Sequence, residues 1–323
     1  MPAVIPRPFC IAAAAPVSQH RLATVHFGLG LPTSTDARDI QVPLTVLDGL
    51  TADYWLSALP VQHGWIDGLG YSENGEVLLG QVRIPDAAIA EHGMEQAAYD
   101  AYICIQQLMQ SRGYPQTLRL WNFIPQILRG EGDAECYRQF NVGRAKALEH
   151  WPTAQQQLPA ATAIGTPEGG LLIYVLAASR IAGAHTENPR QLPATQYPRQ
   201  YGLKSPNFSR ATRVDWADGS DLLVSGTASV VGHETRHPGD VLAQFDETIA
   251  NLAHLVRHAA QLRGSGHYRP QGFKLYLKSP DQLALLRPRL EAAFGATPVT
   301  CLQGTICRHD LLVEVEGIYS LSP

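Results

Sequence analysis

Residues able to do chemistry gather near the C-terminal end, in Leu311-Leu-Val-Glu-Val-Glu-Gly-Ile318. Leu311, Val313 and Val315 alternate with Leu312, Glu314, Glu316 and Ile318, the period-2 pattern of a strand, so Glu314 and Glu316 point to the same side. Two arrangements are compatible with this pattern. An edge strand would turn its acidic face to water. A covered strand would bury two neighbouring carboxyls, and burial with a like charge nearby raises a glutamic acid's pKa from about 4.3 toward neutrality, where it can act as a general acid. Cys307 precedes Glu314 by seven residues. That odd separation puts the two on opposite faces of a regular strand, so a bulge or a late strand start near Arg308 to Asp310 is expected if both serve one site. Taken alone, a free cysteine at this place is a small buried hydrophobe.

Composition bounds the classes of function. The chain has 323 residues, 45% apolar and 17% charged, enough for one large or two ordinary packed domains. A net charge of −4 gives no basic domain of clustered Lys and Arg, so no nucleic-acid partner is expected. No run approaches the roughly 18 apolar residues of a membrane span, and no membrane partner is expected. The opening segment from Met1 to Pro16 is interrupted by Pro2, Pro6 and Pro8 and lacks a basic start. It reads as an extended part of the mature chain, with a cytoplasmic location as the expectation. Five cysteines, an odd number without a CxxC pair, argue against a disulfide framework, and no metal site is expected. His254 and His258 sit at i, i+4 without the acid of an HExxH motif and read as a solvated helix face.

The elements that must position the C-terminal carboxyls recur in one order. Residues 1–58 are Pro-rich and read as an irregular extension with one strand at Ala23 to Gly28. Strands at Trp65 to Gly70 and Glu76 to Ile84 flank Asn74-Gly75, a hairpin signal. A helix from Glu95 to Ser111, a strand from Thr117 to Ile124, a helix from Asp133 to Trp151, and strands from Ala160 to Gly165 and Leu171 to Ala177 complete one unit. After a Pro-rich connector the order returns. Strands at Ala211 to Trp216 and Leu222 to Val230 precede a helix from Asp240 to Leu262, whose buried stripe is Leu242, Phe245, Ile249, Leu252, Val256 and Ala259. Then come strand Phe273 to Leu277, helix Pro280 to Phe294, strand Pro298 to Leu302 and the C-terminal strand. The economical architecture is two α+β units of about 115 residues with a ligand site in the cleft between them.

Ser225-Gly-Thr-Ala-Ser-Val-Val-Gly-His-Glu234 together with Leu312-Val-Glu-Val-Glu-Gly317 resembles the RidA (YjgF) family, small proteins that assemble as trimers and bind small carboxylates between subunits. A wider set of motifs runs through residues 118–320: Leu120-Trp-Asn-Phe-Ile-Pro125, Tyr137-Arg-Gln-Phe-Asn-Val-Gly-Arg144, Glu187-Asn-Pro-Arg-Gln191, Tyr197-Pro-Arg-Gln-Tyr-Gly202 and Ser205-Pro-Asn-Phe-Ser-Arg-Ala211. In this order they are similar to the chorismatases, cofactor-independent enzymes on a RidA-like fold that release pyruvate from chorismate. The resemblance implies an α+β chain of two RidA/YjgF-like (chorismate-mutase-like) units, at residues 59–185 and 205–323, joined by a connector at 186–204 and preceded by the extension at 1–58. It also implies no organic cofactor. It makes Glu314 the general acid and Cys307 the product-determining residue. Cysteine at that position goes with the branch that makes 3-hydroxybenzoate, and a small residue such as alanine with the branch that hydrolyses chorismate to a dihydrodiol.

The residues suit such a substrate. Chorismate is a compact dianion that asks for two cationic clamps, and the bidentate guanidinium fork serves that need. Arg144, Arg210 and Arg213 are the candidates, each contact contributing about 1.5–3 kcal/mol. Taken alone, Arg144 is an ordinary helix-surface residue and Arg213 a rim ion pair. Tyr137, Tyr201 and Phe208 are placed to wall the ring, or to serve as core, and Trp121 and Asn122 to reach the cleft. The expectation is conversion of chorismate to 3-hydroxybenzoate and pyruvate, with some 4-hydroxybenzoate. Its rivals are the hydrolytic chorismatase and a RidA-like imine hydrolase or binding protein. Imine chemistry would not need the Tyr137 to Arg144 and Tyr197 to Ala211 motifs. The sequence leaves monomer or homo-oligomer open.

Overall fold

In the computed structural model, which describes residues 7–12, 20–151, 158–264 and 266–321, the N-terminal region supplies five strands. These are β1 (Cys10–Ala12), β2 (His20–Phe27), β3 (Asp39–Val42), β4 (Val46–Asp48) and β5 (Ala52–Ser57). The expected irregular extension is thereby corrected: four of these strands form a sheet in the order β1-β5-β2-β3. Strands β1, β3 and β4 are three or four residues long, too short for an alternating pattern to show.

The first unit runs β6 (Gln62–Ile66), β7 (Leu69–Glu73), β8 (Val77–Ile84), α1 (Asp86–Arg112), β9 (Gln116–Pro125), α2 (Cys136–Glu149), β10 (Ala160–Thr166) and β11 (Leu171–Ala178). Asn74 sets the β7–β8 turn, its Oδ1 accepting from the backbone N–H of Glu76 and Val77. The second unit runs β12 (Ala184–Thr186), β13 (Ala211–Trp216), β14 (Gly219–Ala228), the small hairpin β15 (Val230–Val231) and β16 (Glu234–Thr235), α3 (Val241–Arg263), β17 (Arg269–Leu277), α4 (Gln282–Phe294), β18 (Val299–Gln303) and β19 (Val313–Leu321). Helix α3 is started by the Asp240 side chain, which accepts from the N–H of Leu242 and Ala243, and ended by Gly264 in the left-handed conformation.

The repeat legible in sequence is a repeat of topology. Five strands of the first sheet lie in the order β10-β9-β11-β8-β7, and five of the second in the order β18-β17-β19-β14-β13. In each, the one parallel pair, β9–β10 or β17–β18, is the pair joined through a helix. Edge strands differ: β6 extends the first sheet, while β12 and β4 flank the second.

All three large sheets turn a face to one core. Trp55 comes from the N-terminal sheet, Trp121 and Tyr174 from the first unit, and Trp216, Tyr276 and Leu302 from the second. Helices α1 and α2 cover the other face of the first sheet, and α3 and α4 that of the second. Strand β19 lies between β14 and β17, Val313 and Val315 pack toward the helices, and Glu314 and Glu316 on its other face are buried, so the edge-strand reading of its acidic face is excluded.

Candidate active site

The register of β19 places Glu314 opposite Ala228 of β14 and Tyr276 of β17, and Glu316 opposite Lys274. On β14 the ladder to β19 slips between Val224 and Thr227, a bulge that frees Ser225 and Gly226 from β19. Those residues turn to the first unit. Gly226 N–H donates to Thr162 Oγ1 at 3.0 Å, and Ala161 N–H donates to Ser225 Oγ at 2.9 Å. The bulge opens the space in which the Glu314 carboxyl lies. A Cβ on Gly226 would stand 1.9 Å from Glu314 Oε1, so this position must be glycine for the carboxyl to keep its place.

The two carboxyls are both buried, at 4% and 2% exposure, yet their surroundings differ. Glu316 accepts from Arg119 Nη2 at 2.7 Å, Trp121 Nε1 at 3.1 Å and Tyr276 OH at 3.1 Å, and from the Thr162 hydroxyl. Burial pushes its pKa up, but Arg119, Lys274 and these hydrogen bonds outweigh that, and Glu316 is held as an anion. No hydrogen bond to the Glu314 carboxyl is found among the described residues. Burial first, and the charge on Glu316 second, raise its pKa to about 8, against the pull of Arg119 and Arg210. One member of the pair is a permanent anion and the other a protonated acid at neutral pH.

Glu314 opens onto a cavity of about 450 Å³ between the units. Arg144 and Arg210 line it, both nearly inaccessible to solvent. Arg144 donates to Asn141 Oδ1 at 2.7 Å, and Arg210 to Leu192 O and Tyr197 OH at 2.9 and 2.8 Å. The Nε atom of each arginine is buried without a hydrogen-bond acceptor among the described residues; Arg210 has the Glu187 carboxylate at 3.9 Å, while Arg144 has no ion-pair partner among the described residues, an arrangement that calls for an anion there. Tyr137, Tyr201 and Phe208 also line the cavity. The guanidinium of Arg210 lies over the Phe208 ring at 5.1 Å, and burial keeps the Tyr137 hydroxyl protonated.

Cys307 reaches the same cavity because β19 begins only at Val313, after a turn through His309-Asp310. Burial, then the nearby Glu314 charge, push its thiol up to about 12. It is therefore a neutral thiol and not a thiolate nucleophile.

Arg213 is a correction. On β13 it faces outward, pairs with Asp215 at 3.1 Å and does not line the cavity. Trp121 and Asn122 lie beside the site, Trp121 as a donor to Glu316 and Asn122 as acceptor from Tyr102. Among the described residues, no three His, Cys, Asp or Glu side chains come together to hold a metal ion, and no helix is long and apolar enough to cross a membrane.

Against this geometry, the comparisons with known proteins agree. A family model described as chorismatase FkbO/Hyg5-like, N-terminal, matches residues 53–177. The 3-hydroxybenzoate synthase of Streptomyces hygroscopicus is 36% identical over 279 residues, which cover 83% of this chain and 81% of that protein. This chain belongs to the chorismatase family. A chorismatase of Streptomyces rapamycinicus is 34% identical over 312 residues, 94% of this chain and 91% of that one. A chorismatase crystal structure superposes with a TM-score of 0.86 at 29% identity, covering 98% of this chain and 99% of the other. The expected α+β class therefore holds.

Several residues of the chorismatase cavity escaped the sequence reading. Arg308 lies 4.0 Å from the Tyr201 ring centroid and donates to His233 O at 2.8 Å. Tyr197 holds Arg210, and Thr162 bridges Glu316 to the Gly226 backbone. Arg308 directly follows Cys307, and Tyr197 opens the Tyr197 to Gly202 motif, so position in the sequence is the signal for both. Thr162 carries no sequence signal, since a threonine in a strand is unremarkable until its partner is known.

Proposed function

We propose that this chorismatase converts chorismate to 3-hydroxybenzoate and pyruvate. Glu314 is the general acid, Arg144 and Arg210 clamp the carboxylates, Tyr137, Tyr201 and Phe208 wall the ring, and Cys307 governs the product. The observation that carries this reading is a buried carboxyl with a pKa raised to about 8 opening onto a cavity lined by Arg210 and by Arg144, whose buried Nε has no acceptor among the described residues. A volume of about 450 Å³ suits a small dianion. The equal strand order supports units at residues 59–185 and 205–323, with the connector at 186–204 supplying Gln191, Tyr197 and Tyr201 to the cavity wall.

Glu314 gives its proton to the enolpyruvyl methylene carbon, which becomes the methyl group of pyruvate. The adjoining ether carbon turns electrophilic, the ring C3–O bond breaks, and that oxygen leaves as the carbonyl of pyruvate. The C4 hydroxyl oxygen closes on C3 as its proton returns to Glu314; the C4–O bond then opens and the C3 hydrogen is lost, which leaves an aromatic ring with its hydroxyl at C3. The two products together contain the atoms of chorismate, so no water is consumed in the balance. Glu316, held by its own cations, keeps its charge throughout.

Incubation of the purified protein with chorismate and chromatographic identification of the aromatic product test the assignment. Glu314→Gln should retain substrate binding and lose pyruvate release by about 10²- to 10⁴-fold. Normal turnover in that variant, with Glu316→Gln inactive, would assign the acid to the other carboxyl. Because the acid form is required and its pKa is raised to about 8, the wild-type rate should be full below that pH and fall as pH rises through it.

A further inference from the structure

A row of buried charges leads from Glu314 to the N-terminal sheet. Glu316, two residues along β19, pairs with Arg119 at 2.7 Å and lies 3.7 Å from Lys274 Nζ. Lys274 in turn pairs with Asp53 of β5 at 2.6 Å. None of these four residues lines the Glu314 cavity; all border a second, smaller cavity of about 190 Å³. Two cations, Arg119 and Lys274, thus face two anions, Glu316 and Asp53, and the balance is complete before Glu314 ionises. The other titratable groups that face the two glutamates are Tyr174 of β11, Tyr276 of β17, Tyr137 of α2, Cys307 and Arg210. Burial keeps the three tyrosines and the thiol neutral, and Arg210 lies on the cavity side with the Glu187 carboxylate 3.9 Å from its Nε.

We propose that Asp53 and Glu316 are positioning residues that keep Glu314 protonated through this charge balance, so that the N-terminal sheet is part of the reaction machinery. The proposal rests on the reading of Glu314 as general acid. Its physical basis is that one more negative charge in a dry, balanced cluster has no cation left to face it, whereas removal of one anion would make an ionised Glu314 the missing partner. Glu316 acts also through contact. It accepts from Thr162, whose Oγ1 accepts from Gly226 N–H, and Gly226 is the backbone against which the Glu314 carboxyl rests. Asp53 acts only through Lys274, so its variants isolate the electrostatic part.

The test is a pH titration of Glu314 by infrared difference spectroscopy, using the protonated-carboxyl band that disappears in Glu314→Gln. It needs no substrate. In Asp53→Asn the midpoint should fall by about one pH unit, the size expected of one charge removed in a low-dielectric interior. In Lys274→Met it should rise. In the double variant, where one cation and one anion are gone together, it should return to near the wild-type value. If Asp53→Asn fails to fold, Lys274→Met decides the matter: with one cation gone the midpoint should rise, and an unchanged midpoint overturns the proposal. An unchanged midpoint in Asp53→Asn, equal downward shifts in both single variants, or a double variant that keeps the lowered midpoint would overturn the proposal. The pH–rate profile of Asp53→Asn should follow its infrared midpoint. If the infrared midpoint moves and the rate profile does not, the charge balance stands and the assignment of Glu314 as the acid falls.

Discussion

At the scale of single residues, the contrast between Glu314 and Glu316 is made by partners far away in sequence. Alternation reveals that the two carboxyls share a side, but the choice between them belongs to Arg119, 197 residues from Glu316, and to Lys274 on the neighbouring strand. Only the assembled fold brings those charges together. The same limit explains Arg213: alternation on β13 puts its side chain opposite Thr212 without saying which side holds the cavity. Cys307 is a different case, since the role proposed for it is one of space. A thiol fills more volume than a methyl group, and a neutral thiol with its pKa pushed up to about 12 would exclude water without attacking the substrate. Cys307→Ala leaves room for a water molecule beside the ring. The 3-hydroxybenzoate share should fall and the dihydrodiol share rise, while total pyruvate release falls less than in Glu314→Gln. Chromatography of both products checks this, and an unchanged hydroxybenzoate fraction would make Cys307 a packing residue.

At the scale of elements, the bulge in β14 makes the recess that holds the Glu314 carboxyl, on which its proposed role as the acid depends. Regular pairing would carry the β14–β19 ladder unbroken past Glu314, but the slip at Ser225 and Gly226 hands their backbone and side chain to β10 and leaves a recess. Gly226→Ala should displace the Glu314 carboxyl by the ångström or so that costs catalysis about 10²-fold in kcat. KM should change little, because Arg144 and Arg210 approach from elsewhere, and thermal stability should stay close to wild type if the side chain swings away. Full kcat in this variant would show that the close approach of Gly226 is incidental. The bulge itself was not legible, as a Gly-rich strand end has many uses. Most helices and long strands were legible to within a few residues because their apolar stripes span several turns or pleats, but α1 begins at Asp86, ahead of the expected Glu95, across a kink at Gly93. Shorter features were missed: Trp65 to Gly70 reads as one strand, yet Asp67 and Gly68, both at positive φ, turn it into the β6–β7 hairpin. The Pro-rich connector reads as a tether, and its tyrosines form a cavity wall because Asn188 and Arg190 pin it to α3.

At the scale of the whole molecule, the two units and the N-terminal sheet share a core instead of stacking as separate bodies. Trp55 of β5 is 2% exposed. It meets Trp121 of the first unit edge-on at 5.9 Å and Phe9 at 5.2 Å, and Phe9 in turn meets Trp216 of the second unit at 6.0 Å. A chain built this way should unfold in one step, since removing any one layer exposes the inner faces of the other two. Trp55→Ala should therefore destabilise the entire protein, by about 3–5 kcal/mol for an aromatic deleted from a core. In urea, far-UV circular dichroism, tryptophan fluorescence and loss of activity should shift to a lower midpoint together. If activity instead survives through a first transition and is lost only in a second, the N-terminal sheet is an independent layer. The Asp53–Lys274 pair that it contributes to the buried charge cluster would then be dispensable for catalysis as well.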